Sequence, residues 1–299
     1  MSKTNKKNLP DGSIVALITP FTEDGQVNTE KLRELVEFHI QNGTDGILVL
    51  GTTGETPTMT HEEDDIAVKT VLDAADDRIF VLVGTGSNNS AVMKQKSLDY
   101  QEMGADGLLI ISPYYNKANP EGLYHHFMQT LDAVEIPCVI YNIPGRTGIN
   151  IPADVIGRLS KHPNAAGIKE ASGNISYAAD IAPYLNEKFK MYSGNDDMIV
   201  PLLSLGGSGV ISVLANVAPK ETHDMVQAYL NGDTKKSLDL QLKYLDLIRS
   251  LFCEVNPIPV KSALNLMGFN VGDLRLPLYK MSEANEQRLA DSLRKVDLL

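Results

Sequence analysis

Eight short, almost wholly apolar runs recur along the chain, separated by longer stretches whose apolar residues return at helical spacing. The runs are Ile14–Ile18, Gly46–Leu50, Ile79–Val83, Gly107–Ile111, Cys138–Tyr141, Ala165–Lys169, Met191–Ser193 and Gly209–Val213. A strand that faces water on one side alternates polar and apolar residues. These do not, so they read as strands buried on both faces. Parallel neighbours need crossover connections, and a strand-then-helix series supplies them. Eight units is the number that closes a (β/α)8 TIM barrel, so the predicted class is α/β, a TIM barrel with an additional C-terminal helical region. A doubly wound open sheet is the alternative. It lacks its dinucleotide fingerprint, because Gly84-Thr85-Gly86-Ser87-Asn88-Asn89 has no third glycine at the required place and reads as a tight turn.

The helical stretches carry their own signals. Leu32, Leu35, Val36 and Ile40 mark one face of the first. Thr60, followed by His61-Glu62-Glu63, reads as an N-cap with acids in the first turn, and Pro152 as a first-turn proline. From about Pro219 onward only helices are predicted. One stripe there is Leu238, Leu242, Leu245, Ile248 and Phe252, and a second is Tyr244, Leu247 and Leu251. A helix apolar on two sides is expected to be buried on both, against the barrel and against another subunit. The expected organisation is a flexible tail over residues 1–12, the barrel over 13–218 with its closing helix left open, and a helical region over 219–299 packed on the barrel.

Composition excludes several classes of function. All 299 residues fit one barrel unit, and 43% hydrophobic content suffices for a large core. A net charge of −11 argues against a general nucleic-acid binder, which needs a basic face for phosphates. No run approaches the length of a membrane span, and the basic N-terminus lacks the apolar stretch of a signal peptide. Cys138 and Cys253 lie far apart in apolar contexts and read as buried thiols in a reducing cytoplasm. His125 and His126 are adjacent on one predicted helix and point apart, so no metal site is expected there.

In a TIM barrel the chemistry sits where the strands end. The second run is followed by Gly51-Thr52-Thr53-Gly54-Glu55, which reads either as an anion-binding turn or as a glycine-rich turn whose threonines bond their own backbone. The fourth leads to Ser112-Pro113-Tyr114-Tyr115-Asn116, and the fifth ends in Tyr141 before a loop that holds Arg146. The sixth ends in Lys169. On that segment alone, a solvated lysine closing a strand is the ordinary reading. Together the set is more telling. A desolvated lysine can become a neutral amine nucleophile for a carbonyl. Tyrosines can pass protons, and an arginine can hold a carboxylate with a two-pronged hydrogen bond.

The segments GTTGE (Gly51–Glu55), SPYYN (Ser112–Asn116), YNIPGRTG (Tyr141–Gly148), GIKEASG (Gly167–Gly173) and NPIPVK (Asn256–Lys261) resemble those of the dihydrodipicolinate synthase and N-acetylneuraminate lyase family, in family order across nearly the whole chain. GTTGE and Arg146 are similar to the synthase branch. The resemblance implies condensation of pyruvate with L-aspartate 4-semialdehyde on the diaminopimelate and lysine pathway. It implies that Lys169 forms a Schiff base with pyruvate and that Tyr141 is the acid/base. Thr52 and Tyr115 would complete a hydroxyl relay, with Tyr115 serving the neighbouring subunit. Thr53 would bind the pyruvate carboxylate and Arg146 that of the semialdehyde, while Ile211 and Gly194 line the pyruvate site. It further implies a homotetramer built as a dimer of tight dimers. No cofactor or metal is expected, because the imine is made on the protein itself.

The chain departs from the family at a possible effector site. His61, Asn88 and Tyr114 match members that bind lysine, but Asp64 stands where they tend to have histidine and Val92 where they have glutamate. Weak or absent inhibition by lysine is therefore expected. Ala118 replaces a common proline after SPYYNK. Two other readings remain. One is a lyase or aldolase of the same family that cleaves sialic acid or 2-keto-3-deoxy sugar acids, against which Thr52 and Arg146 argue. The other is a non-catalytic keto-acid-binding relative, against which the intact set of Lys169, Tyr141, Thr52 and Tyr115 argues.

Overall fold

A computed structural model describes residues 7–299. The strands are β1 (Gly12–Ala16), β2 (Gly46–Val49), β3 (Phe80–Gly84), β4 (Gly107–Ile111), β5 (Cys138–Asn142), β6 (Ala165–Glu170), β7 (Lys190–Ser193) and β8 (Gly209–Ser212). They pair in chain order as a closed parallel barrel. All eight apolar runs are strands, with ends shifted by at most two residues. The helices are α1 (Thr29–Gln41), α2 (His61–Ala75), α3 (Ser90–Met103), α4 (Pro120–Leu131), α5 (Pro144–Thr147), α6 (Ala153–Leu159), α7 (Ile175–Ile181), α8 (Ile199–Ser204), α9 (Pro219–Leu230), α10 (Thr234–Ser250), α11 (Ile258–Leu266) and α12 (Glu283–Arg294). The chain packs as two compact units, one of Phe80–Val210 with the segment ending at Asp11, the other of Gly12–Ile79 and Ile211–Leu299.

In the first unit β3 to β7 are sealed by α3, α4, α6, α7 and α8. Leu123, Phe127 and Leu131 of α4 and Val155, Ile156 and Leu159 of α6 are fully buried, which is why the strands beneath them tolerate no polar alternation. The expected tail over residues 1–12 lies partly outside the described residues, namely 1–6. Beyond them Leu9 is buried, the Lys190 ammonium donates to the Leu9 carbonyl at 2.7 Å, and the Tyr192 hydroxyl donates to the Pro10 carbonyl at 2.6 Å. Cys138 is buried and Cys253 half-buried, and both are free thiols. His126 makes hydrogen-bonding contacts with Ser90 Oγ at 2.8 Å and the Ile111 carbonyl at 3.1 Å.

In the second unit α1 packs on α2, and α9 packs on β1 and α10. Helix α9 thus has the strand contact of a barrel helix, although its sequence gave no sign separating it from the helices that follow. Thr60 caps α2 in a full capping box with Glu63, while Pro152 is the cap of α6 rather than its first residue. The two apolar stripes of α10 part ways. Tyr244, Leu247 and Leu251 are buried, whereas in the other stripe Ile248 is buried, Leu245 half-buried, and Leu238, Leu242 and Phe252 remain exposed in this chain.

A buried ion pair anchors this unit. Lys261, on α11 and 1% exposed, donates to Glu55 Oε1 at 2.8 Å and to the Asp273 carbonyl at 2.8 Å. Glu55 Oε2 accepts from the Arg275 backbone N–H at 2.9 Å, and the Arg275 guanidinium holds Glu63 and the Thr58 and Gly25 carbonyls. Removing one member leaves a buried charge uncompensated. Lys261→Ala should therefore cost about 3–5 kcal/mol in urea unfolding; a loss below about 1 kcal/mol would show that the pair carries little of the fold.

Candidate active site

Strand pairing sets the site in the first unit. Tyr141 of β5 is the register partner of Lys169 of β6, and Lys169 is in turn the partner of Tyr192 of β7. Register partners share a face of the sheet, so the phenol and the amine are brought together by backbone hydrogen bonding. The Lys169 Nζ lies 4.6 Å from the centroid of the Tyr141 ring. Lys169 is 5% exposed, and burial pushes its amine down from the ordinary 10.5 to about 8. The Asp196 carboxylate opposes that shift and the Arg146 guanidinium adds to it. A lysine held in this way keeps a useful neutral fraction near neutral pH.

The strand does not stop at Lys169. Glu170 is its last residue, 3% exposed, and ties three segments together. Its Oε2 accepts from Asn142 Nδ2 at 2.8 Å and its Oε1 from the Ser172 N–H at 2.7 Å. Asn142 also donates to Asn150 Oδ1 at 2.8 Å and accepts from the Ile151 N–H at 3.1 Å, which closes the loop carrying Arg146. Burial raises the Glu170 pKa, while the bonds from Asn142 and Ser172 pull it down. Gly194, just after β7, gives the lysine its space. A Cβ there would lie 2.5 Å from Ala171 Cβ and 3.1 Å from Lys169 Cε.

Arg146 sits exposed on the short helix α5. Tyr115 is 95% exposed, with φ at +72°. That left-handed conformation is strained for a bulky residue, yet the loop is held. Asn116 Nδ2 donates to the Asn88 carbonyl at 2.9 Å, and Asn88 Nδ2 donates to the Tyr114 carbonyl at 3.2 Å. A phenol is thereby presented outward from a fixed loop.

In the other unit, the turn after β2 carries the two candidate threonines. Thr52–Gly54 form one 3-10 turn flanked by left-handed residues, Leu50 at φ +58° and Glu55 at φ +56°. Thr52 is half-buried and Thr53 buried. Thr53 Oγ1 accepts a hydrogen bond from Asn256 Nδ2 at 3.0 Å. Thr53 is thus not bonding its own backbone through that contact, as the plain glycine-turn reading expected; Thr56 Oγ1 does so, donating to the Gly51 carbonyl at 3.1 Å. Ile211, on β8, is fully buried. His61 opens α2 and is exposed, Asp64 is buried and Val92 is exposed.

Glu170, Asn142, Asn256 and the Lys261–Glu55 pair were not singled out by sequence reasoning. The motif holding Asn256 and Lys261 was visible, but nothing local tied it to the turn around Thr53, some two hundred residues earlier. Among the described residues, no three His, Cys, Asp or Glu side chains are grouped so as to hold a metal ion. No helix among them is long and apolar enough to cross a membrane.

Comparison with known proteins identifies the fold's relatives. A family model described as the dihydrodipicolinate synthetase family matches residues 9–296. A 4-hydroxy-tetrahydrodipicolinate synthase of Thermoanaerobacter sp. (strain X514) is 52% identical over 289 residues, 96% of this chain and 97% of that protein. One from Clostridium perfringens (strain SM101 / Type A) is 52% identical over 288 residues, 96% of this chain and 99% of that protein. Among solved structures, the Aquifex aeolicus dihydrodipicolinate synthase has a TM-score of 0.94 at 44% identity, covering 96% of this chain and 98% of its own. The chloride-inhibited Acinetobacter baumannii enzyme, complexed with pyruvate, has a TM-score of 0.95 at 39% identity, covering 97% of this chain and 100% of its own.

Burial of Lys169 has a thermodynamic cost whose sign is fixed by linkage. Below about pH 8 folded and unfolded chains both carry the proton and the cost is fully present. Between about 8 and 10.5 the unfolded chain holds a proton that the folded chain lacks, so stability rises with pH. The shift from 10.5 to about 8 corresponds to about 3 kcal/mol. Lys169→Met should raise the thermal midpoint at pH 7 by several degrees, a gain that shrinks toward about pH 10. A midpoint that is unchanged or lowered at pH 7 would refute this account.

Proposed function

The chain belongs to the dihydrodipicolinate synthetase family, and from that premise we propose that Lys169 forms an imine with pyruvate whose enamine then attacks L-aspartate 4-semialdehyde. Its activity is that of a 4-hydroxy-tetrahydrodipicolinate synthase, a lyase of diaminopimelate and lysine biosynthesis. The observation that carries the mechanism is the buried Lys169 amine, brought down to about 8 over the ring of Tyr141. At pH 7 about one such amine in ten is neutral, against roughly one in three thousand for an ordinary lysine.

The proposed steps follow from that amine. Neutral Lys169 Nζ adds to the pyruvate carbonyl, and the carbinolamine loses water to give the iminium. Tyr141 supplies and removes the protons, relayed through Thr52 and through Tyr115 of a neighbouring copy. Loss of a methyl proton gives the enamine, whose carbon bonds to the aldehyde carbon of the semialdehyde. The semialdehyde's amine then attacks the imine carbon and releases Lys169. Thr53 binds the pyruvate carboxylate, with Ile211 and Gly194 lining that pocket, and Arg146 binds the carboxylate of the second substrate. Hydroxyl relays suit this chemistry because they move protons without fixing a charge beside the iminium.

The outward presentation of Tyr115, 95% exposed and at φ +72°, supports its service to a second copy. The exposed Leu238 and Leu242 on α10, with Phe252 just after it, supply apolar surface for further contacts, in keeping with a homotetramer made of tight dimers. A sugar-acid lyase reading is disfavoured by Arg146 and Thr52.

Incubation with pyruvate and borohydride, followed by peptide mass spectrometry, tests the reaction. The adduct should form on Lys169 and be absent from Lys169→Arg, whose guanidinium stays charged. Labelling elsewhere, or none, refutes the mechanism. A second expectation concerns regulation. Val92, exposed on α3, offers no carboxylate to an ammonium. Inhibition of turnover by lysine should therefore be weak or absent; half-inhibition at low millimolar concentration or below would overturn this.

A further inference from the structure

The segment Asn256–Lys261 grips the substrate turn at two points. Lys261 fixes Glu55 through the buried ion pair, and Asn256, itself only 7% exposed, reaches Thr53. The Asn256 contact has a chemical polarity. A side-chain amide nitrogen can only donate, so at 3.0 Å it fills one lone pair of Thr53 Oγ1. A threonine hydroxyl has one proton and two lone pairs. With a donor on one lone pair, the proton is left to be given elsewhere. Thr53 is also β-branched and held in a 3-10 turn, which leaves its hydroxyl few directions to point.

We propose that Asn256 is a positioning residue for substrate binding: by donating to Thr53 Oγ1 it keeps the single proton of that hydroxyl available for the keto-acid carboxylate. The proposal rests on the reading that Thr53 binds that carboxylate. Accepting one hydrogen bond also strengthens a hydroxyl as a donor. The amide does this while carrying no charge, so it neither repels the carboxylate nor competes for it. An acidic side chain in the same place would reverse the arrangement. It would accept the Thr53 proton, turn the hydroxyl away from the substrate and set a negative charge near the carboxylate.

The test compares Asn256→Ala, Asn256→Asp and Thr53→Val singly, with Thr53→Val/Asn256→Ala as the double variant. The readouts are the KM for the keto acid, kcat, and borohydride trapping at sub-saturating keto acid. Thr53→Val should raise KM on the order of tenfold, as loss of a hydrogen bond to a charged group does. Asn256→Ala should raise KM in the same direction with a smaller effect on kcat. Asn256→Asp, which keeps the size of the side chain and so guards against a folding defect in the alanine variant, should raise KM more than alanine does. In the Thr53→Val background, Asn256→Ala should add nothing, because the group it orients is gone. Trapping should fall in parallel with KM.

An unchanged KM in Asn256→Asp, with Thr53→Val impaired, overturns the proposal while leaving the role of Thr53 intact. So does an Asn256→Ala effect that multiplies with that of Thr53→Val. If Thr53→Val itself leaves KM unaltered, the reading of Thr53 as the carboxylate ligand fails, and the role of Asn256 fails with it.

Discussion

A strand covered on both faces cannot hydrate a charge carried at its end. In β6 burial extends through Glu170, one residue past the lysine, and Lys169 is itself only 5% exposed, so its amine is largely desolvated. Desolvation dominates its pKa, and the influences of Asp196 and Arg146 are smaller and of opposite sign. Its lowered pKa thus follows from the same burial that makes β6 a core strand. The register that places Tyr141 beside it is set by backbone pairing rather than by side-chain fit.

Lys261 shows what the same burial does when a counter-charge is supplied. Both lysines end apolar runs, and both are pushed down chiefly by desolvation. Lys261 has Glu55 Oε1 at 2.8 Å, and the Coulombic and hydrogen-bond pull of that carboxylate works against the shift. Both amines also face an aromatic ring, Lys169 that of Tyr141 at 4.6 Å and Lys261 that of Phe21 at 4.3 Å, so the ring does not separate them and the carboxylate does. One lysine is therefore held in a buried ion pair as a clamp, and the other has its amine brought down to about 8.

This contrast marks the limit of what the sequence could reveal. The eight strands were legible because period and burial are local properties, written in runs of four to six residues. Lys169, Tyr141 and the two threonines could be named as candidates because strand ends are where this architecture places its chemistry. The fates of Lys169 and Lys261 were not, since GIK and PVK read alike and the deciding carboxylate is 206 residues from Lys261. Helix α9 was hidden for a similar reason: its contact with β1 joins opposite ends of the chain. The exposed stripe of α10 is the converse case. Apolar periodicity shows that a face is to be covered but not whether this chain does the covering.

The turn after β2 explains why the helices that follow the barrel cannot be regarded as a mere appendage. Two non-glycine residues, Leu50 and Glu55, hold positive φ within six positions, each at a cost of about 1–3 kcal/mol. Such a turn persists only where its surroundings over-determine it. Thr19 supplies one such contact, its hydroxyl donating to the Gly54 carbonyl at 2.7 Å, and the others come from beyond residue 250: Lys261 and the Arg275 backbone on the Glu55 carboxylate, and Asn256 on the Thr53 hydroxyl. A boundary drawn at residue 218 would part the latter groups from the turn they hold. The C-terminal helices are therefore structurally continuous with the threonines, and the strain in the turn is the reason they must be.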